Sequence, residues 1–383
     1  MRIIVFCGNG GSGVSTVAAA TAAALADTGH RTLLFGITAG LGDALGTEAG
    51  LKAAPAWDGL DAAQGHGGHG GPDEFGEWLS ALLDWRGMDS ELADDLSALP
   101  GVNHIGRLLE LQRLLRTDAY EYAVLDAAES SQFLDLPGAL EAGAHWLDKL
   151  FTTRQSTVFE PFLRAFAGDY ASAGEGVFET GKELLGRLAD VRDLMSDPDV
   201  TSVRVVANPR DAGVTAVEEV VSVLSLFGYR VDAVVVTRLL PQQVTDPFFD
   251  EEKARQQAML AHLKGMGLPV RLLTSDLARI AIQGRDSLLD FARSLYGGDG
   301  ALLQGEDGLV GGHTIERQSG QYIVQISLPF AKRDELRLED VDEGIAVHLN
   351  GRRCVISLPS DVLYTEATNW VYEENVLRVV LDR

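Results

Sequence analysis

The sequence predicts an α/β protein: a doubly wound, mainly parallel sheet with a helical insertion, followed by a small all-β sandwich. Three observations lead to this class. Apolar strand runs alternate with helical runs over most of the chain, a Gly-rich stretch interrupts the pattern at 296–312, and short β-branched runs with turns follow it. We therefore assign 1–298 to the sheet domain, about 138–200 to the insertion, 299–312 to a linker and 313–383 to the sandwich.

The chain opens with a strand, a Gly-rich turn and a helix. RIIVF is a short apolar run, GNGGSG follows it, and the Ala-rich run VSTVAAATAAALADTG ends at Gly29. RTLLFGI supplies a second buried strand, so the opening is a βαβ unit. In such a unit the turn presents the backbone N–H groups at the start of the helix to a ligand.

Four later runs predict further strands of the same sheet, because each contains a short apolar stretch. Helical patterns such as AVEEVVSVLSLFG lie between several of them, which is typical of parallel crossovers. The four runs are EYAVLDAAE (121–129), TSVRVVANP (201–209), RVDAVVVTRLLP (230–241) and LPVRLLTSD (268–276).

Two stretches interrupt this alternation. The loop AAQGHGGHGGPDEFG precedes a helix predicted at 74–86, and its His66 and His69 form either a metal site or, as we favour, part of an unstructured loop. The insertion at 138–200 is helical, and its aromatic stripe either packs into the core, which we favour, or lines an exposed client groove. The stripe consists of Phe151, Phe159, Phe162 and Phe166.

The segment after the linker contains GQYIVQISLPF, LRLEDVDEGIAVHLNGRRCVISLP and NVLRVVLD, which are short β-branched runs separated by turns such as NG. These runs predict the sandwich. Because the linker is Gly-rich, we expect the sandwich to fold as a separate unit.

The composition excludes several classes of protein. Lys and Arg number 32 against 56 Asp and Glu, a net charge of -24, so we expect no nucleic-acid partner. Cys7 and Cys354 are the only cysteines and lie far apart in apolar runs, which excludes a disulfide framework and a Cys-x-x-Cys zinc site within one chain. We find no transmembrane segment and no cleavage site near the N-terminus, and expect a cytoplasmic protein.

The stretch FCGNGGSGVST matches most of the phosphate-loop template G-x-x-x-x-G-K-S/T. Gly8, Gly13 and Ser15 are in register, but Val14 occupies the lysine position. In an intact loop the backbone wraps the phosphates, the lysine neutralises their oxygens and the hydroxyl binds Mg²⁺. Without the lysine we expect ATP or ADP to bind weakly. The alternative is that the glycines serve only a tight turn.

In the same frame, GNGGSGVST resembles the loop GKGGVGKST of the arsenical-pump and guided-entry (tail-anchored-protein targeting) ATPases, with Asn9 and Val14 in place of two lysines. YAVLDAAESSQFLDLP resembles their switch II region, and LLFGITAGLGDALG lies where they have switch I. There Gly36 replaces the aspartate that orients the attacking water. The matching residues are Asp126, Leu134, Leu136 and Pro137 in the first stretch and Leu41, Asp43 and Ala44 in the second.

The C-terminal segment is similar to the α-crystallin, or small-heat-shock-like, domain fused to a bacterial and plastid branch of these ATPases. The resemblance therefore spans nearly the whole chain in order, and it implies a P-loop NTPase sheet followed by an α-crystallin-like sandwich.

The resemblance also implies a nucleotide site. Thr237 and Arg238 stand where the family has an asparagine that reads the adenine edge, although Arg238 also fits a surface residue. Ser15 and Asp126 are the implied Mg²⁺ residues, with Asp126 as the Walker B carboxylate or, alternatively, a helix cap. The predicted nucleotide-binding residues are Gly8, Asn9, Gly10, Gly11, Ser12, Gly13, Val14, Ser15, Thr16, Asp126, Thr237 and Arg238.

Loss of both lysines and of the switch I aspartate removes the groups that stabilise phosphoryl transfer. We therefore predict a pseudo-ATPase that binds protein partners or clients, with no assigned catalytic residue, as a homodimer or as a heterodimer with an intact paralogue. Two alternatives stay open. One is an active ATPase for anion transport or membrane-protein targeting that uses other cations, and the other is a structural scaffold that binds no nucleotide.

Overall fold

The computed structural model confirms the α/β sheet and the C-terminal antiparallel sandwich. His66, His69, the four phenylalanines of the insertion and the linker residues 299–310 lie outside the residues that it describes. The structure describes residues 1–37, 40–46, 54–64, 74–85, 102–129, 133–134, 171–209, 213–266, 270–297, 311–318, 321–341, 344–358 and 367–381.

Eight strands form the sheet of the first domain. They are Arg2–Gly8 (β1), Thr32–Gly36 (β2), Ala54–Trp57 (β3), Leu60–Gln64 (β4), Tyr122–Glu129 (β5), Thr201–Ala207 (β6), Val231–Leu239 (β7) and Arg271–Asp276 (β8). Their order is β3-β4-β2-β5-β1-β6-β7-β8, and every neighbouring pair is parallel except β3 with β4. The strand β1 is therefore central, and its carboxyl end opens between those of β5 and β6.

The hairpin β3–β4 is a feature that the sequence analysis did not predict. Its segment APAWDGLDAAQ contains no β-branched residue, so strand propensity gives no signal. The Asp58-Gly59 dipeptide, with Gly59 at a φ of 76°, forms the turn. Pairing of β4 with β2 attaches the hairpin to the edge of the sheet.

Helices cover both faces of the sheet. The described residues form Val14–Asp27 (α1), Leu41–Leu45 (α2), Glu74–Trp85 (α3), Val102–Leu115 (α4), Ala171–Ser196 (α5), Gly213–Leu226 (α6), Asp250–Gly265 (α7) and Arg285–Tyr296 (α8). Side chains of α1, α2 and α8 join one hydrophobic cluster, and those of α3 to α7 join the cluster on the other face. None of the helices in the described part of the chain is long and apolar enough to span a membrane.

The helix α1 is buried along most of its length. Ten of its fourteen residues are buried, and alanines occupy most of these positions. Small side chains allow the helix to lie close to the sheet, which brings its first turn directly over the end of β1.

The C-terminal unit consists of two antiparallel sheets around one core. Its strands are His313–Gln318 (β9), Gln321–Ser327 (β10), Arg337–Val341 (β11), Gly344–Leu349 (β12), Arg352–Ser357 (β13), Ala367–Glu373 (β14) and Val376–Leu381 (β15). The sheets have the orders β14-β15-β10-β9 and β11-β12-β13. Asn350 and Gly351 make the β12–β13 turn with φ values of 51° and 74°, as the NG dipeptide predicts.

The sandwich packs against α6 of the first domain: Leu226 belongs to the sandwich core. The sequence analysis did not predict this contact. Whether the sandwich folds as a separate unit stays a prediction.

Candidate functional site

The Gly-rich loop joins β1 to α1 at the carboxyl edge of the sheet. A Cβ on Gly8 would lie 2.0 Å from the carbonyl oxygen of Val206, so only glycine allows β1 and β6 to approach this closely. Gly11 and Gly13 have φ values of 76° and 87°, which L side chains rarely adopt. The close approach of β1 to β6 and the loop conformation therefore require these glycines whether or not a ligand is bound.

The start of α1 forms a cradle for an anion. Gly13 is the N-cap residue and has no side chain to accept the first amide hydrogens, and the first turn carries no acidic residue. Its amide groups and the positive end of the helix dipole favour a negatively charged group. This part of the loop fits a phosphate.

Val14 provides no charge to this cradle. Its side chain is 6% exposed and belongs to the hydrophobic cluster that contains Val17, Leu41 and Leu45. An isopropyl group in this environment packs against apolar neighbours, where a P-loop lysine would reach the phosphates. The replacement is therefore accommodated by the core.

A cleft of about 640 Å³ lies beside the loop. The loop and the start of α1 form one wall, through Ser12, Gly13, Ser15 and Thr16, and the end of β7 forms the second, through Thr237 and Arg238. The third wall is the segment 275–283 at the end of β8 and after it, with Phe249 and Phe291 beside it. The cleft lies at the carboxyl ends of parallel strands, where α/β sheets bind their ligands.

The charges around the cleft are mixed. Among the described lining residues, Arg238 and Arg279 are the basic side chains, whereas Asp43, Glu252 and Asp276 are acidic. Glu252 already binds Arg255 on α7 at 2.8 Å. Two exposed guanidinium groups against three carboxylates leave these lining side chains without the net positive charge that would attract a polyphosphate.

The second wall is connected to the loop by a buried hydrogen bond. The hydroxyl of Thr237 donates to the carbonyl oxygen of Ser12 at 2.6 Å, and both residues are buried. The next residue, Arg238, has a φ of 58°, which is uncommon for a residue other than glycine. Strained backbone of this kind concentrates at functional sites.

Two hydroxyl groups in the cleft walls are buried without a hydrogen-bond partner among the described residues. They belong to Ser12, which is fully buried, and to Ser275, which is 7% exposed. Buried polar groups normally have partners, so each of these requires an explanation such as an additional bound group.

Asp126 lies on β5 at the same edge of the sheet. It pairs in register with Phe6 of β1 and with Gly36 of β2, and its carbonyl oxygen accepts from the N–H of Ile37 at 2.8 Å. The residue is only 1% exposed, and of the predicted Mg²⁺ residues only Ser15 lines the cleft. The described residues contain no cluster of three or more His, Cys, Asp or Glu that would hold a metal by itself.

Arg107 is a basic residue beside the switch I position. Its guanidinium donates to the carbonyl oxygen of Ile37, the residue after Gly36. Burial lowers the pKa of Arg107. The Arg107 side chain thus binds the backbone next to Gly36, the position where the family's aspartate is missing.

The predicted site residues fall into two groups. Ser12, Gly13, Ser15, Thr16, Thr237 and Arg238 line the cleft, whereas Gly8, Asn9, Gly10, Gly11, Val14 and Asp126 lie in the loop or the strand behind it. The sequence analysis missed the wall at 275–283 and the residues Asn208 and Phe249. The sequence did contain a signal for this wall. LPVRLLTSD is predicted as a strand of the same parallel sheet, so the residues after it lie at the same edge as the loop.

The family model for the anion-transporting ATPase matches residues 1–297, and a model for the HSP20-like domain found in ArsA matches residues 319–381. The chain belongs to the anion-transporting ATPase family. The first match covers more than half of the chain, and the second falls on the sandwich.

Three curated relatives align with 63% to 100% of the chain. A protein of Prosthecochloris vibrioformis named as an arsenical pump-driving ATPase is 25% identical over 100% of this chain and 96% of its own length. An uncharacterized protein of Streptomyces coelicolor is 30% identical over 94% of this chain and 92% of its own length. The ATPase GET3 of Phaeosphaeria nodorum is 24% identical over 63% of this chain and 78% of its own length.

Proposed function

We propose that this member of the anion-transporting ATPase family is a pseudo-ATPase. It binds ATP or ADP weakly, hydrolyses it slowly or not at all, and acts by binding protein partners. The observation that carries the proposal is the buried Val14 side chain at the lysine position of the loop. A transition state for phosphoryl transfer needs positive charge and a water-positioning group, and positions 14 and 36 supply neither.

Weak nucleotide binding is supported by the parts of the loop that remain. The backbone cradle at the start of α1 fits a phosphate group, and the Ser15 hydroxyl fits a ligand of the Mg²⁺ that would accompany it. ATP and Mg²⁺ would thus be held by the loop backbone, by Ser15 and, from behind the loop, by Asp126.

Protein binding is supported by a groove between α3 and α5. This groove has a volume of about 530 Å³ and is lined by apolar side chains, among them Trp78, Val177 and Leu184, together with charged ones such as Glu183 and Arg187. The indole N–H of Trp78 donates to the carbonyl oxygen of Val177 at 2.9 Å, which fixes the ring in the groove. We propose that the groove contacts a client protein, and that the chain pairs with a second copy or with an intact paralogue.

The decisive experiment is a calorimetric titration with ATP and with ADP, each with and without Mg²⁺, together with a steady-state ATPase assay. We expect weak binding and no turnover above that of a Ser15→Ala control. A rate near ~1 s⁻¹, which is within the ordinary enzyme range, that disappears in the Ser15→Ala variant would show an active enzyme.

A gain-of-binding variant separates the missing charge from a blocked cleft. Asn9→Lys combined with Val14→Lys should raise the affinity for ATP by about tenfold or more, because it restores charge-assisted contacts to phosphate. It should not restore turnover, since Gly36 still lacks the carboxylate. Absence of any gain would indicate that the loop does not admit nucleotide, as the scaffold alternative requires.

A second candidate function is an active ATPase that uses other cations, and the two arginines at the cleft favour it. Arg238 and Arg279 both line the cleft. If they replace the loop lysines, the wild type hydrolyses ATP and Arg238→Ala with Arg279→Ala abolishes that activity. Equal background rates in the two proteins would exclude this function.

A further inference from the structure

Where the sandwich contacts the sheet domain, side chains of each unit pack on or into the hydrophobic core of the other. Leu226, the last residue of α6, is fully buried in the hydrophobic core of the sandwich. Phe330, which follows β10 of the sandwich, packs against the hydrophobic cluster of the sheet domain. Phe227 packs against both clusters. Each unit therefore completes part of the core of the other.

The backbone at Phe330 adopts a conformation that disfavours this residue type. Its φ is 69°, in the left-handed region that bulky side chains rarely enter. Such a conformation persists only where surrounding contacts enforce it. The ring packs against the hydrophobic cluster of the sheet domain, a contact that would be lost with the ring.

Backbone groups of the two units also come into direct contact. A Cβ on Gly311 would lie 2.2 Å from the carbonyl oxygen of Tyr229, so the chain entering the sandwich runs against the turn after α6. Ser222 of α6 is 2% exposed, and its hydroxyl lies within hydrogen-bond distance of the carbonyl oxygens of Pro329 and Glu218. These contacts fix the sandwich on one side of α6.

The helix that carries the sandwich also connects two strands with residues at the cleft. α6 joins β6 to β7, and the residues at the carboxyl ends of these strands, Asn208 and Thr237, both line the cleft. α6 also packs on both strands, so a change in its position or stability would reach β6 and β7 together.

We infer that the sandwich is a fixed intramolecular partner of the sheet domain, and that its docking on α6 stabilises the strand ends that form the cleft. The docking surface consists of Ser222, Leu226 and Phe227 on one side and of Gly311, Pro329 and Phe330 on the other. The inference does not depend on whether the cleft binds nucleotide.

The test uses the full chain and the variant Phe330→Asn, because asparagine adopts a positive φ and lacks the aromatic ring. Two controls separate the contact from general effects. Glu374→Asn introduces the same residue at another positive φ, 51°, in the β14–β15 turn. Trp370→Ala removes an aromatic ring that packs on the sandwich core.

The measurement is hydrogen exchange followed by mass spectrometry. In Phe330→Asn we expect exchange of the α6 and β7 amides to rise by about tenfold, while β12 and β13 stay within about twofold of the wild type. Trp370→Ala should raise exchange in β12 and β13 more than in α6 and β7, and Glu374→Asn should change neither region.

Three outcomes overturn the inference. Unchanged exchange in α6 would show that the contact does not stabilise the helix. A rise in α6 without a rise in β7 would show that docking does not extend to the cleft. An equal rise in all regions would show general destabilisation instead of a local partner contact.

Discussion

Replacing Asp232 by alanine removes a carboxylate from a buried polar network inside the sheet domain. Arg204 on β6 and Asp232 on β7 are each about 3% exposed at the side chain, with a separation of 3.0 Å between Nε and Oδ1. Ser202 donates to the same carboxylate at 2.8 Å. Burial lowers the pKa of the Arg204 guanidinium, but Asp232 and Tyr296 more than offset this effect, so its pKa is raised and the group is charged.

The network extends to the loop helix. Arg204 donates through Nη1 to the hydroxyl of Tyr296 on α8 at 3.2 Å, and this hydroxyl lies 2.6 Å from that of Thr21 on α1. Loss of Asp232 therefore leaves a buried cation with too few acceptors. Breaking a buried pair by removing one partner costs about 3–5 kcal/mol. With a urea slope of about 3 kcal/mol per molar, the unfolding midpoint should fall by about 1 M or more.

Urea unfolding followed by circular dichroism measures this effect. The matched control is Asp290→Ala, which breaks the exposed pair with Arg293 and should cost less than about 1 kcal/mol. The double variant Arg204→Met with Asp232→Leu removes both charges and should lose less than Asp232→Ala alone. Equal midpoints for Asp232→Ala and Asp290→Ala would refute the reasoning that desolvation makes this pair costly to break.

Two further predictions concern the strands around the loop. Burial raises the pKa of Cys7 from 9.0 to about 12, so the unfolded chain loses this proton first, and stability should fall as the pH rises above 9.0. Cys7→Ala should show a flatter decline in urea unfolding, and identical profiles would contradict the assignment. Thr237→Val leaves the buried carbonyl of Ser12 without its donor and should cost about 1–3 kcal/mol in the same assay. Unchanged stability would mean that water replaces the bond.

The strands of the parallel sheet were predictable because both of their faces are buried. Runs such as IIVF (3–6) and AVVV (233–236) are continuously apolar, which is the pattern that burial on two faces requires. The hairpin β3–β4 was not predictable from propensity, since its place depends on pairing with β2. Only the contact with a neighbouring strand explains why APAW and LDAAQ are extended.

The candidate site was predictable where a local motif encodes it and not elsewhere. The loop has fixed glycine spacing because its backbone geometry requires it. The wall at 275–283 has no comparable local pattern, and it joins the cleft only through the pairing of β7 with β8. Leu226 likewise resembles any apolar residue of an amphipathic helix, and the sequence does not indicate which of two cores contains it.

Alanine variants of two loop glycines test whether the loop glycines serve packing or ligand binding. Gly8→Ala places a methyl group 2.0 Å from the Val206 carbonyl oxygen, so β1 and β6 must separate. We expect a loss of about 2 kcal/mol or more in the ligand-free protein, because overpacking moves backbone in the sheet centre.

The Cβ of Gly11→Ala would have no atom within 4 Å, so only the φ of 76° disfavours alanine there. We expect this conformation to lower the unfolding free energy by about 1–2 kcal/mol. Urea unfolding without nucleotide ranks the two variants, and ADP titration of each reports the ligand site separately. A larger loss for Gly8→Ala would mean that packing alone preserves this glycine, so its presence is no sign of nucleotide binding. If Gly8→Ala is as stable as the wild type and only ADP affinity falls, the loop is retained for its ligand.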